Sequence, residues 1–205
     1  MAGFFNRVNK NFQTLKGEDF IRKIILFTRD KYSFRIFRKI KSYYHFKRSD
    51  VHLGRNVRIS GLCANISVGA NVEIYSNTIF EFGPYSKLTI GNNTLFSYGV
   101  LLAVTEEIKI GDNVQIGEYT SIRDSTHRHD VLDKPMKLVA DICKPIIIGN
   151  DVWIGRGCII FPGTIIEDGV VVGANSVIKG VLSKNCIYVG SPCKLVKSRT
   201  QNSEL

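Results

Sequence analysis

The sequence predicts an all-β protein, a parallel β-helix whose coils close as a triangular solenoid. Three observations lead there. Between Ile148 and Ile178 an aliphatic, β-branched residue recurs at every sixth position without a gap: Ile148, Ile154, Ile160, Ile166, Val172 and Ile178. A second series of small or apolar residues runs four behind it, through Val152, Cys158, Thr164, Val170, Ser176 and Leu182. Glycine follows the first series at Gly149, Gly155 and Gly173. An α-helix has no period of six, and an alternating strand has no use for the glycines. A repeat of fixed length marks a solenoid. One inward aliphatic side chain per side, with Gly or Asn near each corner taking the positive φ that other residues resist, closes a three-sided coil whose equivalent positions stack.

Composition sets the bounds. The 205 residues make one domain with an appendage and can bury a sizeable core. No apolar run is long enough for a transmembrane helix, and the N-terminus lacks the apolar stretch and cleavage site of a secretion signal. Cys63, Cys143, Cys158, Cys186 and Cys193 are odd in number, contain no C-x-x-C pair and read as reduced, mostly buried thiols of a cytoplasmic protein. No His/Cys cluster has zinc spacing, so no metal is expected. Charge divides the chain. Residues 1–50 carry 13 Lys/Arg against 4 Asp/Glu, a net +9, and residues 51–205 carry 15 against 14, a net +1. Any partner implied by charge therefore belongs to the N-terminal segment.

Residues 1–50 read as a basic, amphipathic helical segment, 51–190 as the solenoid and 191–205 as a basic tail. In the first segment Glu18 and Asp19 open a helix over Phe20–Phe27, and Ile36, Phe37, Ile40, Tyr43 and Tyr44 share a second helical face. Two readings stand side by side. Residues 1–48 cap the open end of the solenoid, or they lie against anionic lipid at the inner face of a membrane. Nucleic acid is not expected, because no reader motif accompanies the charge. From Val51 the repeat is looser. Val68, Ile90 and Ile110 open similar Gly-Ala/Asn/Asp-Asn units, but their spacings of 22 and 20 predict residues bulging from each coil, with Gly83 and Pro84 marking one such place. Those units are corner chemistry and lack the ending of a phosphate loop. The register then breaks for 26 residues between Ile122 and Ile148. The break predicts a loop protruding at about 123–145, which carries His127, His129, Asp124, Asp130 and Asp133. A stiff solenoid does its chemistry at its surface, so function is expected in that loop.

The uninterrupted hexads resemble the hexapeptide-repeat acyltransferases, whose fold is a left-handed parallel β-helix. Ser125-Thr126-His127-Arg128-His129-Asp130, the later Pro145-Ile146-Ile147-Ile148-Gly149-Asn150-Asp151-Val152-Trp153-Ile154-Gly155 and the Gly190-Ser191-Pro192-Cys193-Lys194 element are similar to the branch containing the maltose, galactoside and nodulation-factor acetyltransferases and many polysaccharide O-acetyltransferases. The resemblance covers about Asp50 to Lys197 and is absent from the N-terminal segment. It implies a homotrimer with acetyl-CoA in a groove between subunits and His127 as general base, His129 being the alternative from a shorter-loop register. It places Trp153, Gly155, Arg156, Ala174, Lys179, Lys194 and Lys197 along the acetyl-CoA. On the acceptor side it implicates Asp130, and Ser97 and Glu106 at or beside positions where relatives carry Asn and Asp. Arg156 and Lys179 depart from the small polar residues of that pattern. The function so implied is O-acetylation of a sugar hydroxyl on a bacterial surface polysaccharide or a lipid-linked precursor. N-acetylation of an amino-sugar nucleotide, acetylation of an antibiotic and a non-catalytic scaffold are the rivals. The first usually brings a further nucleotide-binding domain, for which residues 1–50 are too short.

Overall fold

Hexads become coils because a two-residue strand points one side chain in and one out, and a four-residue corner follows it. The structure, a computed structural model, describes residues 45–46, 50–61, 63 and 65–199. The expected N-terminal helices lie outside the described residues. Among the described residues no helix is long and apolar enough to cross a membrane.

Three parallel sheets form three faces. The first contains His52–Leu53, Glu73–Ile74, Leu95–Phe96, Gln115–Ile116, Trp153–Ile154, Val171–Val172 and Cys186–Val189, with Lys194–Ser198 folded back antiparallel on the last. The second contains Arg58–Ser60, Ile79–Phe82, Leu101–Val104, Ser121–Arg123, Ile159–Ile160 and Val177–Ile178. The third contains Asn65–Val68, Lys87–Ile90, Glu107–Ile110, Ile146–Ile148, Ile165–Ile166 and Val181–Leu182. The chain visits the faces in turn, so coils one to six span residues 52–68, 73–90, 95–110, 115–148, 153–166 and 171–182.

The core is a set of ladders between coils. Ile74, Phe96, Ile116, Ile154, Val172 and Tyr188 stack on the first face. Phe80, Leu102, Ile122, Ile160 and Ile178 stack on the second. Ile90, Ile110, Ile148, Ile166 and Leu182 stack on the third. All are buried. Each such side chain removed from water contributes about 1.5–3 kcal/mol before chain entropy is counted. Phe46, itself buried, meets Phe80 edge to face with centroids 5.5 Å apart.

Three details differ from the sequence reading. The long early coils do not bulge: Ile79 through Phe82 pair in unbroken register with Leu101 through Val104, and Lys87 through Ile90 with Glu107 through Ile110. The extra residues lengthen strands to four and give the third face two inward residues per strand, such as Leu88 and Ile90. Gly83 and Pro84 instead begin a turn that Ser86 closes by donating from N and Oγ to the Gly83 carbonyl at 3.2 and 2.8 Å. The second difference is Leu182. It belongs to the inward ladder over Ile166, because the side between coils shortens by two residues there. The third concerns the glycines. Positive φ falls two residues later, at Asp151 (53°), Gly157 (65°) and Asn175 (56°). Gly155 is needed because a Cβ there would sit 2.6 Å from the Ala174 nitrogen on the next coil. Asparagine suits the left-handed corners because its side chain also bonds between coils, as Asn71 Nδ2 to Asn93 Oδ1 at 3.1 Å and Asn93 Nδ2 to Asn113 Oδ1 at 3.0 Å.

Candidate active site

On coil three the chain turns from the second face to the third through Thr105 and Glu106. On coil four it does not turn; it leaves at Asp124 and returns at Lys144. Asp124 holds both ends. Its carboxylate is fully buried and accepts the backbone N–H groups of Thr105 (2.8 Å), Glu106 (2.8 Å) and Glu107 (2.9 Å). Its carbonyl accepts the N–H of Lys144 at 2.9 Å. A carboxylate surrounded by backbone donors is the arrangement that lets an acid stand buried. Ser125, also buried, extends the clamp with an Oγ contact to Thr105 Oγ1 at 3.0 Å.

From that clamp a two-stranded antiparallel ribbon projects, with Ser125 opposite Cys143 and Thr126 opposite Ile142. His127 and Asp141 follow just beyond these two rungs. Their side chains meet, Nδ1 to Oδ1, at 2.7 Å. An ionised carboxylate only accepts, so Nδ1 carries the proton in this contact, and in the neutral ring the lone pair is then on Nε2. A short 3-10 helix, Met136–Leu138, lies in the loop beyond the ribbon. His127, Met136, Lys137, Val139 and Asp141 line a cleft of about 460 Å³. The pair is open to water, with the His127 side chain 80% exposed and that of Asp141 42% exposed. The Cys143 thiol at the foot of the ribbon is pushed up first by burial and then by the charges of Asp124, Glu106 and Asp141. Glu106 therefore shares this edge and its field.

Other expected residues distribute over the solenoid. Lys179 lies on the same second-to-third edge as His127, two coils on. Trp153 is exposed on the first face, paired with Gln115 and Val171. Gly155, Arg156 and Ala174 occupy the first-to-second edge, where Arg156 Nε stands 3.5 Å from Glu118 Oε1. Ser97 sits on that same edge at coil three. Lys194 and Lys197 are strand residues opposite Val189 and Ile187 at the end of the first face. Asp130 is exposed in the loop, 3.9 Å from Arg128 Nε. His129 is exposed and has no side-chain partner among the described residues. Within one chain, then, His127, Glu106 and Lys179 come together along one edge, and Ser97, Arg156 and Ala174 along another. Trp153 does not meet His127.

The sequence reading missed three residues. Asp141 and the clamp role of Asp124 need the ribbon to be known, and no spacing in the sequence announces a two-rung ladder. Arg199 donates from Nη1 to the Gly169 carbonyl at 2.6 Å and pairs with Asp151 at 3.2 Å, lining a cleft of about 330 Å³ with Trp153 and Gln115.

Comparison with known proteins agrees with this architecture. The sequence profile of the bacterial transferase hexapeptide family (six repeats) matches residues 145–180. The galactoside O-acetyltransferase of Escherichia coli is 31% identical over 132 residues, which are 64% of this chain and 63% of that protein. An acetyltransferase homologue in Dictyostelium discoideum is 32% identical over 138 residues, 67% of this chain and 70% of that protein. This chain spans 54%, 63% and 58% of the length of three relatives, from Mycobacterium tuberculosis and, twice, Escherichia coli. Among solved structures, a variant of AntD, an N-acyltransferase from Bacillus cereus in complex with dTDP and coenzyme A, superposes with a TM-score of 0.66 at 26% identity, over 80% of this chain and 90% of that one. With the repeat, the three-faced solenoid and these relatives in agreement, the chain belongs to the hexapeptide-repeat transferase family.

Proposed function

We propose that the protein transfers an acetyl group from acetyl-CoA to a sugar hydroxyl of a bacterial surface polysaccharide or its precursor, with His127 as general base. The observation that carries this is the His127–Asp141 contact, made through Nδ1, which leaves Nε2 outside it at a cleft on a clamped ribbon. Nε2 takes the hydroxyl proton as the oxygen attacks the thioester carbonyl. The tetrahedral intermediate then collapses, the C–S bond breaks, and the imidazolium returns its proton to the departing CoA sulfur. Asp141 holds the ring and stabilises the imidazolium while it exists.

The donor fits the first-to-second edge. Gly155 and Ala174 stack there, low enough for a pantetheine arm to approach backbone, and Lys194 and Lys197 stand exposed at the end where phosphates would lie. Lys179 shares the edge of His127, but Gly155, Arg156 and Ala174 occupy a different edge of the chain, so the reading requires a second copy, whose first-to-second edge faces the His127 edge of the first. A homotrimer closes this arrangement. The exterior of the third face supports it: outward residues change from Ser67, Thr89 and Lys109 on coils one to three to Ile147, Ile165 and Val181 on coils four to six. Those three are 40%, 37% and 60% exposed. A contiguous apolar strip on a solvent face fits burial against another subunit.

His127→Ala should abolish acetyl transfer with the oligomer intact, measured by thiol release from acetyl-CoA across sugars, sugar nucleotides and lipid-linked glycans. Full activity in that variant, or loss only in His129→Ala, removes the assignment. Amine acceptors belong in the panel. A second AntD structure, with dTDP-4-amino-4,6-dideoxyglucose and coenzyme A, superposes at a TM-score of 0.64 and 27% identity, and favours N-acyl transfer to an amino-sugar nucleotide as the second reading. The net +9 of residues 1–50 supports a place at the cytoplasmic face of an anionic membrane.

A further inference from the structure

Three tyrosines gather on the first-to-second edge, and none belongs to the base, the donor track or the core. Tyr75 and Tyr98, from coils two and three, meet edge to face with centroids 5.0 Å apart. Tyr98 is 50% exposed and Tyr119, on coil four, 65% exposed. The Tyr119 ring lies over Gly99: a Cβ on Gly99 would sit 2.7 Å from Tyr119 Cδ1. Tyr119 also adopts φ +60° at a position where this edge otherwise uses Asn56, Asn77, Gly99, Gly157 and Asn175. A bulky residue in the left-handed region is disfavoured by its Cβ, and such residues concentrate where a ligand is held. The fold needs only Gly or Asn at that corner, so an exposed tyrosine there answers to something outside the fold.

We infer that Tyr98 and Tyr119 form a stacking platform for a ring of the acceptor, with Tyr75 bracing Tyr98. The inference rests on the reading of a groove between two copies. In that groove the edge is shared along its length. Arg156 and Ala174 hold the donor at coils five and six, and the tyrosines occupy coils two to four. Coil four is also the coil that projects His127. Tyr119 and His127 therefore leave the same coil of the chain, and the platform extends from there toward the N-terminal end. Tyrosine is suited to such a platform because it presents a flat apolar face to the C–H side of a pyranose or to a nucleobase, and its hydroxyl stays in water. The acceptor class is a ring-bearing hydroxyl or amine donor, either a free glycan or a nucleotide-linked sugar.

Binding of UDP-glucose, UMP and methyl glucoside to the His127→Ala protein, read by calorimetry without turnover, tests the platform. At least one probe should bind, and Tyr98→Ala should weaken it tenfold or more while CoA affinity stays within twofold. Tyr98→Phe, which keeps the ring, should restore binding. Retention by UMP places the base on the platform, and retention by methyl glucoside places the sugar there. Tyr119→Gly should weaken the same probe without lowering the melting temperature, since glycine takes φ +60° freely; that separates a ligand role from a structural one. Equal probe binding in the parent and Tyr98→Ala, or no binding by any probe, overturns the platform. Acetyl transfer surviving in His127→Ala would remove the base assignment yet leave these binding results to stand or fall separately.

Discussion

Asp124→Asn should loosen the whole ribbon that carries His127, and the cost follows from three hydrogen bonds. Oδ2 takes the N–H groups of Glu106 and Glu107, and Oδ1 that of Thr105. Asparagine has one oxygen. Turned toward Glu106 and Glu107, it faces its NH₂ against the Thr105 N–H, so one bond is lost and two fall from charged to neutral strength. Bonds to charged groups contribute ~1.5–3 kcal/mol and neutral ones ~0.5–1.5 kcal/mol, a loss of about 4 kcal/mol if nothing relaxes. Thr105 and Glu106 are exposed, so water replaces part of what is lost. The net cost is about 2–4 kcal/mol, which lowers the melting temperature of a chain this size by about 5–15 °C. Thermal unfolding followed by circular dichroism at fixed protein concentration measures it, with Asp130→Asn as the exposed control expected within ~0.5 kcal/mol of the parent. The ribbon should suffer first, so hydrogen exchange at Ser125–Thr126 and Ile142–Cys143 should accelerate beyond the change in the solenoid ladders. A melting temperature within about 2 °C of the parent, or an equal drop in Asp130→Asn, would refute the clamp.

Three further outcomes follow from the same geometry. Asp141→Asn keeps an acceptor for Nδ1 but not the charge that stabilises the imidazolium, and should lower kcat about tenfold, with the acetyl-CoA KM little changed, in steady-state kinetics. Gly155→Ala places a Cβ 2.6 Å from the Ala174 nitrogen and 2.9 Å from the Val172 carbonyl, backbone atoms that cannot step aside, and should cost about 1–3 kcal/mol in a denaturant titration. The thiols of Cys143, Cys158 and Cys193 are all raised by burial, so at pH 8 less of each is thiolate than in a free cysteine. Peptide mass spectrometry after iodoacetamide should find Cys158 unmodified in the native protein and alkylated only in denaturant; modification of the native protein at the rate of a free thiol would contradict its burial.

The parts of this protein legible in the sequence are those that repeat. From Ile148 to Ile178 each residue meets the same surroundings as the residue one coil away, so one physical requirement selects the same residue type again and again. Coils one to three obey the same ladders with strands lengthened to three or four residues on the second and third faces, which shifts the spacing to 20–22 and hides the period. The bulges expected there follow from assuming equal sides. Corner chemistry was legible as a class but not residue by residue, because close stacking of coils and left-handed φ both select glycine and only backbone angles separate them. His127 was visible because the register breaks around it. Its partner Asp141 was not, because a contact across 14 residues of loop depends on a ribbon of two rungs, too short to leave an alternating pattern. Asp124 is hidden for a related reason: its three partners are backbone N–H groups on another coil, and backbone donors leave no trace in residue identity. The repeat therefore discloses the scaffold, and the site is built from departures from the repeat. Tyr119 carries that logic furthest. A position that the scaffold fills with Asn or Gly on its other coils holds an aromatic at φ +60° on the coil that carries His127, and a departure that costs the fold without supporting it is what the proposed ring platform explains.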